Sequence, residues 1–238
     1  MPAGSIRARV RAEMTSEIKA VARRHLETDG ANLSLRAVAR DMGMVSSALY
    51  RYFASRDDLL TALIVDAYNA LGETVEAADA AVADRGDLRA RWLAAARAVR
   101  GWALANPAEY ALLYGSPVPG YKAPHDTIPA AVRTPAVLAR ILSDGSAAGA
   151  RTSIPATAAG IGTAARLTGV VRSDLKRAAD AIAPGLPEDR LMLGLTSWVQ
   201  LFGVLSFELF GQFNNVIDAH AEYFDQQMEL MADLLGYQ

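Results

Sequence analysis

Three groups of residues have the types that reactive sites use. Ser173 and Lys176 stand three apart, the spacing of a serine nucleophile and its lysine. A serine that caps a short helix accounts for the same residues more simply. Gly160, Gly162 and Ala165 follow the glycine spacing of a dinucleotide-binding turn, with Asp180 near the place of its acidic partner. That turn needs a strand before it, and Pro155 followed by alanine and threonine stands there instead. His25, His125 and His220 are too far apart for metal-ligand spacing, and the chain has no cysteine for a thiolate site or a disulfide. No catalytic, cofactor or metal constellation survives. The expectation is a protein that binds, not an enzyme.

The stretch whose spacing does carry a chemistry is Ser34 to Phe53, and the chemistry is recognition of duplex DNA. Ser34 can cap a helix on which Leu35, Val38, Ala39 and Met42 share a face. Gly43 supplies the left-handed residue that ends it. A second apolar set follows at Val45, Leu49, Tyr52 and Phe53. Two short helices about a tight turn make a helix-turn-helix, whose second helix can lie in the major groove.

Gly43-Met44-Val45, Leu49-Tyr50-Arg51-Tyr52-Phe53 and Ser55-Arg56-Asp57-Asp58-Leu59-Leu60 resemble the signature of the TetR/AcrR family of bacterial transcriptional regulators, over roughly Val10 to Ala67. The resemblance implies that Ser46, Ser47 and Ala48 face base edges and that the Tyr50 hydroxyl meets a phosphate. It places Arg51 against a base or the backbone, and Arg56 against a phosphate. Ser34 and Arg36 open the first helix of the motif, whose N-terminus can face a phosphate. Two positions depart from the pattern: many members have serine where Val45 stands and threonine where Ala48 stands. The cap of the recognition helix is then expected at Ser46, and Ala48 offers only a methyl contact, for example to thymine. Tyr52 and Phe53 are expected to plug the core between the first and fourth helices.

Charge supports the same end of the chain. Residues 1–56 carry a net +5 and the remainder −7, within an overall −2. A basic head on an acidic body concentrates phosphate attraction at one end. With 238 residues and 52% hydrophobic content, the chain can bury a core in one or two domains. The N-terminus lacks the apolar run of a signal peptide. The longest apolar run, Leu191 to Phe207, is 17 residues and includes Thr196, Ser197, Gln200 and Ser206. A membrane span wants about 20 apolar residues, so the expectation is a buried helix of a cytoplasmic protein with no membrane partner.

The remaining elements read as helices, giving an all-α chain. The first is expected from Val10 to Thr28, behind a basic leader at Arg7, Arg9 and Arg11. The fourth opens at Ser55, with acids in its first turn, and runs to about Ala78. A helix of that length joins the head to the rest of the chain, and movement of its far end must tilt the head. Helices are expected over Asp87–Ala105, from Asn106-Pro107 onward, over Thr127–Ala147 with a bend at Pro135, and from Ser173 to Ile182. The loop Gly115 to Asp126, with three prolines and two glycines, could rim a pocket. Arg151 to Gly169 is rich in alanine, glycine and threonine. The implied division is a DNA-binding domain over 1–71, with its motif at 34–53, and a sensing and dimerising domain over 72–238.

Two final helices carry a second pattern. Leu191, Leu195, Trp198, Phe202, Leu205 and Leu209 are spaced 4-3-4-3-4, and Ile217, Ala221, Phe224, Met228, Met231 and Leu235 repeat that spacing. A period of 3.5 suits left-handed bundle packing. The resemblance implies a homodimer through these helices, with Leu205, Leu209, Phe224, Met228, Met231 and Leu235 at the interface. Trp198 and Gly203 also resemble a C-terminal regulatory domain of actinobacterial members in which Trp, His and Gly recur; here Phe202 stands at the histidine. Trp102, Tyr110, Tyr114, Tyr121, Trp198 and Phe202 are the candidates for lining a small-molecule effector pocket. Glu208, a carboxylate on an apolar helix, is expected at the dimer rim or paired with an arginine such as Arg166 or Arg172; the alternative is that it lines the ligand cavity and accepts a hydrogen bond from the effector. The functional expectation is a repressor that an effector releases from a palindromic operator; a carrier or enzyme that merely retains the head is the alternative.

Overall fold

The computed structural model describes residues 3–30, 32–150 and 167–238. The Gly160–Ala165 turn and Arg166 lie outside them. Among the described residues every regular element is helical: α1 (Ala3–Asp29), α2 (Leu35–Asp41), α3 (Ser46–Leu49), α4 (Arg56–Ala81), α5 (Leu88–Ala105), α6 (Pro107–Tyr114), α7 (Ile128–Ala131), α8 (Arg133–Ala147), α9 (Gly169–Ile182), α10 (Glu188–Leu209) and α11 (His220–Leu235). The all-α expectation holds. The chain divides into two compact units, residues 1–70 with 105–131, and residues 71–104 with 132–238. The first cut falls inside α4, beside the boundary read from the sequence. Residues 105–131 nonetheless pack in the first unit.

Several boundaries move for local reasons. Helix α1 starts at Ala3, so Arg7, Arg9 and Arg11 belong to the helix and form no leader. Helix α9 starts at Gly169 because Thr168 accepts the Val171 N–H, which leaves Ser173 inside the first turns rather than at the cap. The helix expected over Thr127–Ala147 breaks at Val132. Pro135 has no N–H to give the Ala131 carbonyl, so α7 ends there and α8 begins anew.

The first unit is built around one apolar cluster. Ile18, Ala22, Val38, Ala39, Leu49 and Leu59 are fully buried in it. Phe53 joins this core and Tyr52 packs against it, as their spacing predicted. From α6, Ala108 and Leu112 pack on the same cluster. Asp66 of α4 receives Lys19 and Arg23 of α1, both at 2.7 Å.

In the second unit, Arg91 is 1% exposed and spans Asp79 at 2.8 Å and Asp144 at 2.7 Å. Burial alone would raise the Asp79 carboxyl, but hydrogen bonds from Arg91 and Arg85 overcome it and hold its pKa below the ordinary value. The Trp92 indole donates to the Met228 carbonyl at 2.9 Å. Glu208 pairs with Arg100, not with Arg172: Arg100 Nε and a terminal nitrogen reach its two oxygens at 2.9 and 2.5 Å. Arg100 precedes Glu208 by 108 residues, and nothing in the local sequence marks it.

Helix α10 passes for a membrane span by length and composition, but here it packs against α8, α9 and α11. The 3.5-residue seam turns inward. Leu205, Phe224, Met228, Met231 and Leu235 are all at most 8% exposed within the single chain, and Leu209 is half-buried. The five buried residues belong to the core of the single chain, so the expectation that they face a second chain is corrected: their apolar area is already covered, while Leu209 keeps part of its surface exposed. The same helices expose other apolar residues, notably Val199 at 72%, Phe207 at 51% and Leu230 at 50%.

Candidate nucleic-acid interface

The motif is assembled as its residue types dictate. Ser34 caps α2, its Oγ accepting the Ala37 N–H at 3.4 Å. Gly43 takes φ +65°, the left-handed conformation required of it. The second helix is shorter than its spacing suggested. Helix α3 spans four residues, and Tyr50 to Tyr52 continue it only as a helical turn, with the Tyr52 N–H bonded to the Leu49 carbonyl. Its cap is Val45, with no side-chain hydrogen bond, rather than Ser46. A valine cannot accept an amide proton, and Ser46 has already entered the helix.

Four of the expected phosphate contacts share one concavity. Ser34, Arg36, Tyr50 and Arg56 line it, with Leu33, Ala54 and Ser55 between them. Arg56 Nε donates to the Leu33 carbonyl at 3.1 Å, which fixes the root of the guanidinium and sends it toward this hollow. Ser55 caps α4 through the Asp58 N–H at 3.0 Å. Leu49 is the buried anchor of α3, while Ser47, Tyr50 and Arg51 are exposed and Ser46 and Ala48 half-buried. The arrangement offers hydroxyls, guanidinium groups and a helix N-terminus on one solvent-facing surface, the donors that phosphate oxygens and base edges accept.

Two residues outside the expected set also shape this surface. Arg11 of α1 donates to the Arg51 carbonyl at 3.1 Å, and its guanidinium lies 5.2 Å from the centre of the Tyr52 ring. It props the turn after α3 from behind; the alternation of Arg7, Arg9 and Arg11 gave no sign of that role. Val45 stands 70% exposed at the start of α3. Its signal in the sequence was an apolar residue where a hydroxyl is usual.

The pocket candidates do not share a unit. Tyr110, Tyr114 and Tyr121 belong to the first; Trp102, Trp198 and Phe202 belong to the second. Tyr110 is fully buried, its ring 5.2 Å from Tyr114, which meets Tyr68 edge-on at 6.3 Å. Burial raises the Tyr114 pKa well above the ordinary value. Tyr121 reaches Thr61 of α4, oxygen to oxygen, at 2.9 Å. Thr61 and Tyr68 were missed by the sequence reading, although a spacing of seven places them on one face of α4. In the second unit, Trp102 and Phe202 are buried, and Trp198 borders a cleft of only about 30 Å³, room for a water or two. Among the described residues no group of three or more acidic or histidine side chains could hold a metal ion.

The family described as bacterial regulatory proteins, tetR family, matches residues 18–63, and the tetracyclin repressor-like C-terminal domain matches residues 92–231. The HTH-type transcriptional regulator Rv1816 of Mycobacterium tuberculosis is 42% identical over 241 residues, covering 95% of this chain and 94% of its own. The crystal structure of the regulatory protein SCO4313 aligns with a TM-score of 0.75 at 34% identity, over 94% of this chain and 97% of that one. PfmR of Thermus thermophilus, a TetR-family regulator, aligns with a TM-score of 0.53 at 19% identity, over 93% and 98% of the two chains. At that identity the last likeness speaks for the fold alone.

Proposed function

The chain belongs to the TetR family of bacterial regulatory proteins and is a DNA-binding transcriptional regulator; from that premise we propose that it is a homodimeric cytoplasmic repressor that a small-molecule effector releases from a palindromic operator. The observation that carries the reading is the convergence of Ser34, Arg36, Tyr50 and Arg56 on one exposed hollow beside Ser46, Ser47 and Ala48. The first four position the head on the backbone, and the last three with Arg51 read base edges. Its work is binding, without a catalytic step. Residues 1–71 carry the DNA-binding domain and 72–238 the dimerising helices, with α4 shared between DNA binding and sensing.

Dimerisation stays with the last two helices but moves to their outer face. Val199 and Phe207 of α10 and Leu230 of α11 are exposed apolar residues, and a two-fold axis through these helices would cover them with the same residues of a second copy. Such a dimer holds two recognition helices about 35 Å apart, one turn of DNA. The effector favours a spacing that misses consecutive grooves, with α4 as the link.

Selecting duplexes from a random library at two salt concentrations tests this. The expected result is a palindrome with half-sites one helical turn apart and an affinity that falls steeply with salt. Recovery of no sequence preference at either salt would overturn the operator reading and leave a carrier or enzyme with a vestigial head.

A further inference from the structure

The loop over residues 115–124 carries three prolines and lines a cleft of about 320 Å³ in the first unit. Ile64 and Tyr68 of α4 and Leu112 and Leu113 of α6 form its walls, with Val118 and Tyr121 from the loop. None of its lining residues is charged. An ion entering it would lose water and gain no countercharge, so the occupant is neutral. The volume falls at the lower end of the range for small-molecule sites, enough for one or two rings.

The polar part of the cleft is a set of hydroxyls with protons to spare. Thr61 and Tyr121 share one hydrogen bond, which uses one of their two protons. Tyr68 makes no hydrogen bond among the described residues. Burial, and after it the neighbouring Tyr121, push the Tyr68 pKa up, which keeps its hydroxyl a neutral donor. Thr127 lines the same cleft, but its hydroxyl is spent on the Pro124 carbonyl at 2.7 Å. The Tyr68 hydroxyl and the spare proton of the Thr61–Tyr121 pair are therefore donors available at this recess, where Ser116 also lines the wall.

We propose that this cleft binds a neutral aromatic molecule of one or two rings bearing a phenol or carbonyl oxygen, which accepts from Tyr68 and from the Thr61–Tyr121 pair. The aliphatic walls and the Tyr68 ring hold its flat face. As the seat of the effector, the cleft rests on the repressor reading above. Thr61 lies five residues beyond Arg56 on α4, so an oxygen that draws Tyr121 from Thr61 disturbs the helix that carries a phosphate contact.

The test uses the full-length protein, its selected operator, and 2-naphthol as probe, with naphthalene-2-sulfonate and decanoate as charged and aliphatic controls. Calorimetry is expected to show 2-naphthol binding, no measurable sulfonate or decanoate binding, and at least a tenfold loss with Tyr68→Phe. Tyr121→Phe should also weaken it and lower the melting temperature, because its bond to Thr61 goes with the hydroxyl, while Tyr68→Phe leaves melting temperature and unliganded operator affinity unchanged. Absent naphthol binding, binding indifferent to both hydroxyls, or a preference for either control overturns the assignment. If naphthol binds through Tyr68 yet the operator stays bound, the site stands and effector release fails. If another small molecule frees the operator while naphthol does not bind, release stands and the cleft assignment fails.

Discussion

The α2–α3 pair and the α10–α11 pair are both two helices with apolar stripes, yet they use those stripes differently. In the first, short helices bury nearly every apolar side chain and leave polar ones outside; Leu49 is fully buried while Tyr50 beside it is 46% exposed. In the second, long helices are apolar on two faces, with Phe224 1% exposed and Leu230 at 50% six residues later. A helix with one apolar face has only one way to sit. A helix with two apolar faces has a choice, and the chain turns the 3.5-residue seam inward while Val199, Phe207 and Leu230 stay exposed.

That contrast can be broken at four points. The largest effect is expected at the inner seam: Phe224→Ala should cost about 3–5 kcal/mol of unfolding free energy in urea, as for a core aromatic. A loss below 1 kcal/mol would return Phe224 to the interface between chains. At the outer face, Val199→Glu should weaken self-association at least a hundredfold, about 3 kcal/mol, and leave monomer stability within about 0.5 kcal/mol. Sedimentation equilibrium with parallel urea curves reads both; an intact dimer would move the contact elsewhere.

Two smaller effects sharpen the picture of the head. Tyr50→Phe should weaken operator binding by about 1–2 kcal/mol, the size of a hydrogen bond to a charged group, with melting unchanged. Equal affinity for both proteins at low and high salt would remove Tyr50 from the backbone contacts. Replacing one operator thymine by deoxyuridine deletes a single methyl. Where that methyl meets Val45, the loss should be about 0.8 kcal/mol, one methyl-sized apolar contact, and Val45→Ala should abolish the difference. A methyl effect that persists in the variant assigns the contact to Ala48.

The difference between the regions also marks what the sequence disclosed. The turn at Gly43 and the caps at Ser34 and Ser55 are local, each fixed by residues within three or four positions, and the structure has them where the spacing required. The recognition helix began one residue early because nothing in a valine announces a cap. Periodicity named the seam on α10 and α11 but could not say whether it faces inward or outward, since both faces satisfy a helical period. Arg100 for Glu208, and Asp79 with Asp144 for Arg91, are partners chosen by tertiary packing across many residues, which no local pattern encodes.

The bond from the Trp92 indole to the Met228 carbonyl spans 136 residues and bears on the order in which the chain organises in time. The apolar cluster that seats the head draws chiefly on residues 18–63, so most of its contacts close small loops and form early. The Trp92 contact must wait until α11 exists and returns. All three tryptophans, at 92, 102 and 198, lie in the second unit. Their fluorescence during refolding should therefore report a late, slow closure and stay silent while the head assembles, whereas tyrosine emission should register the earlier event.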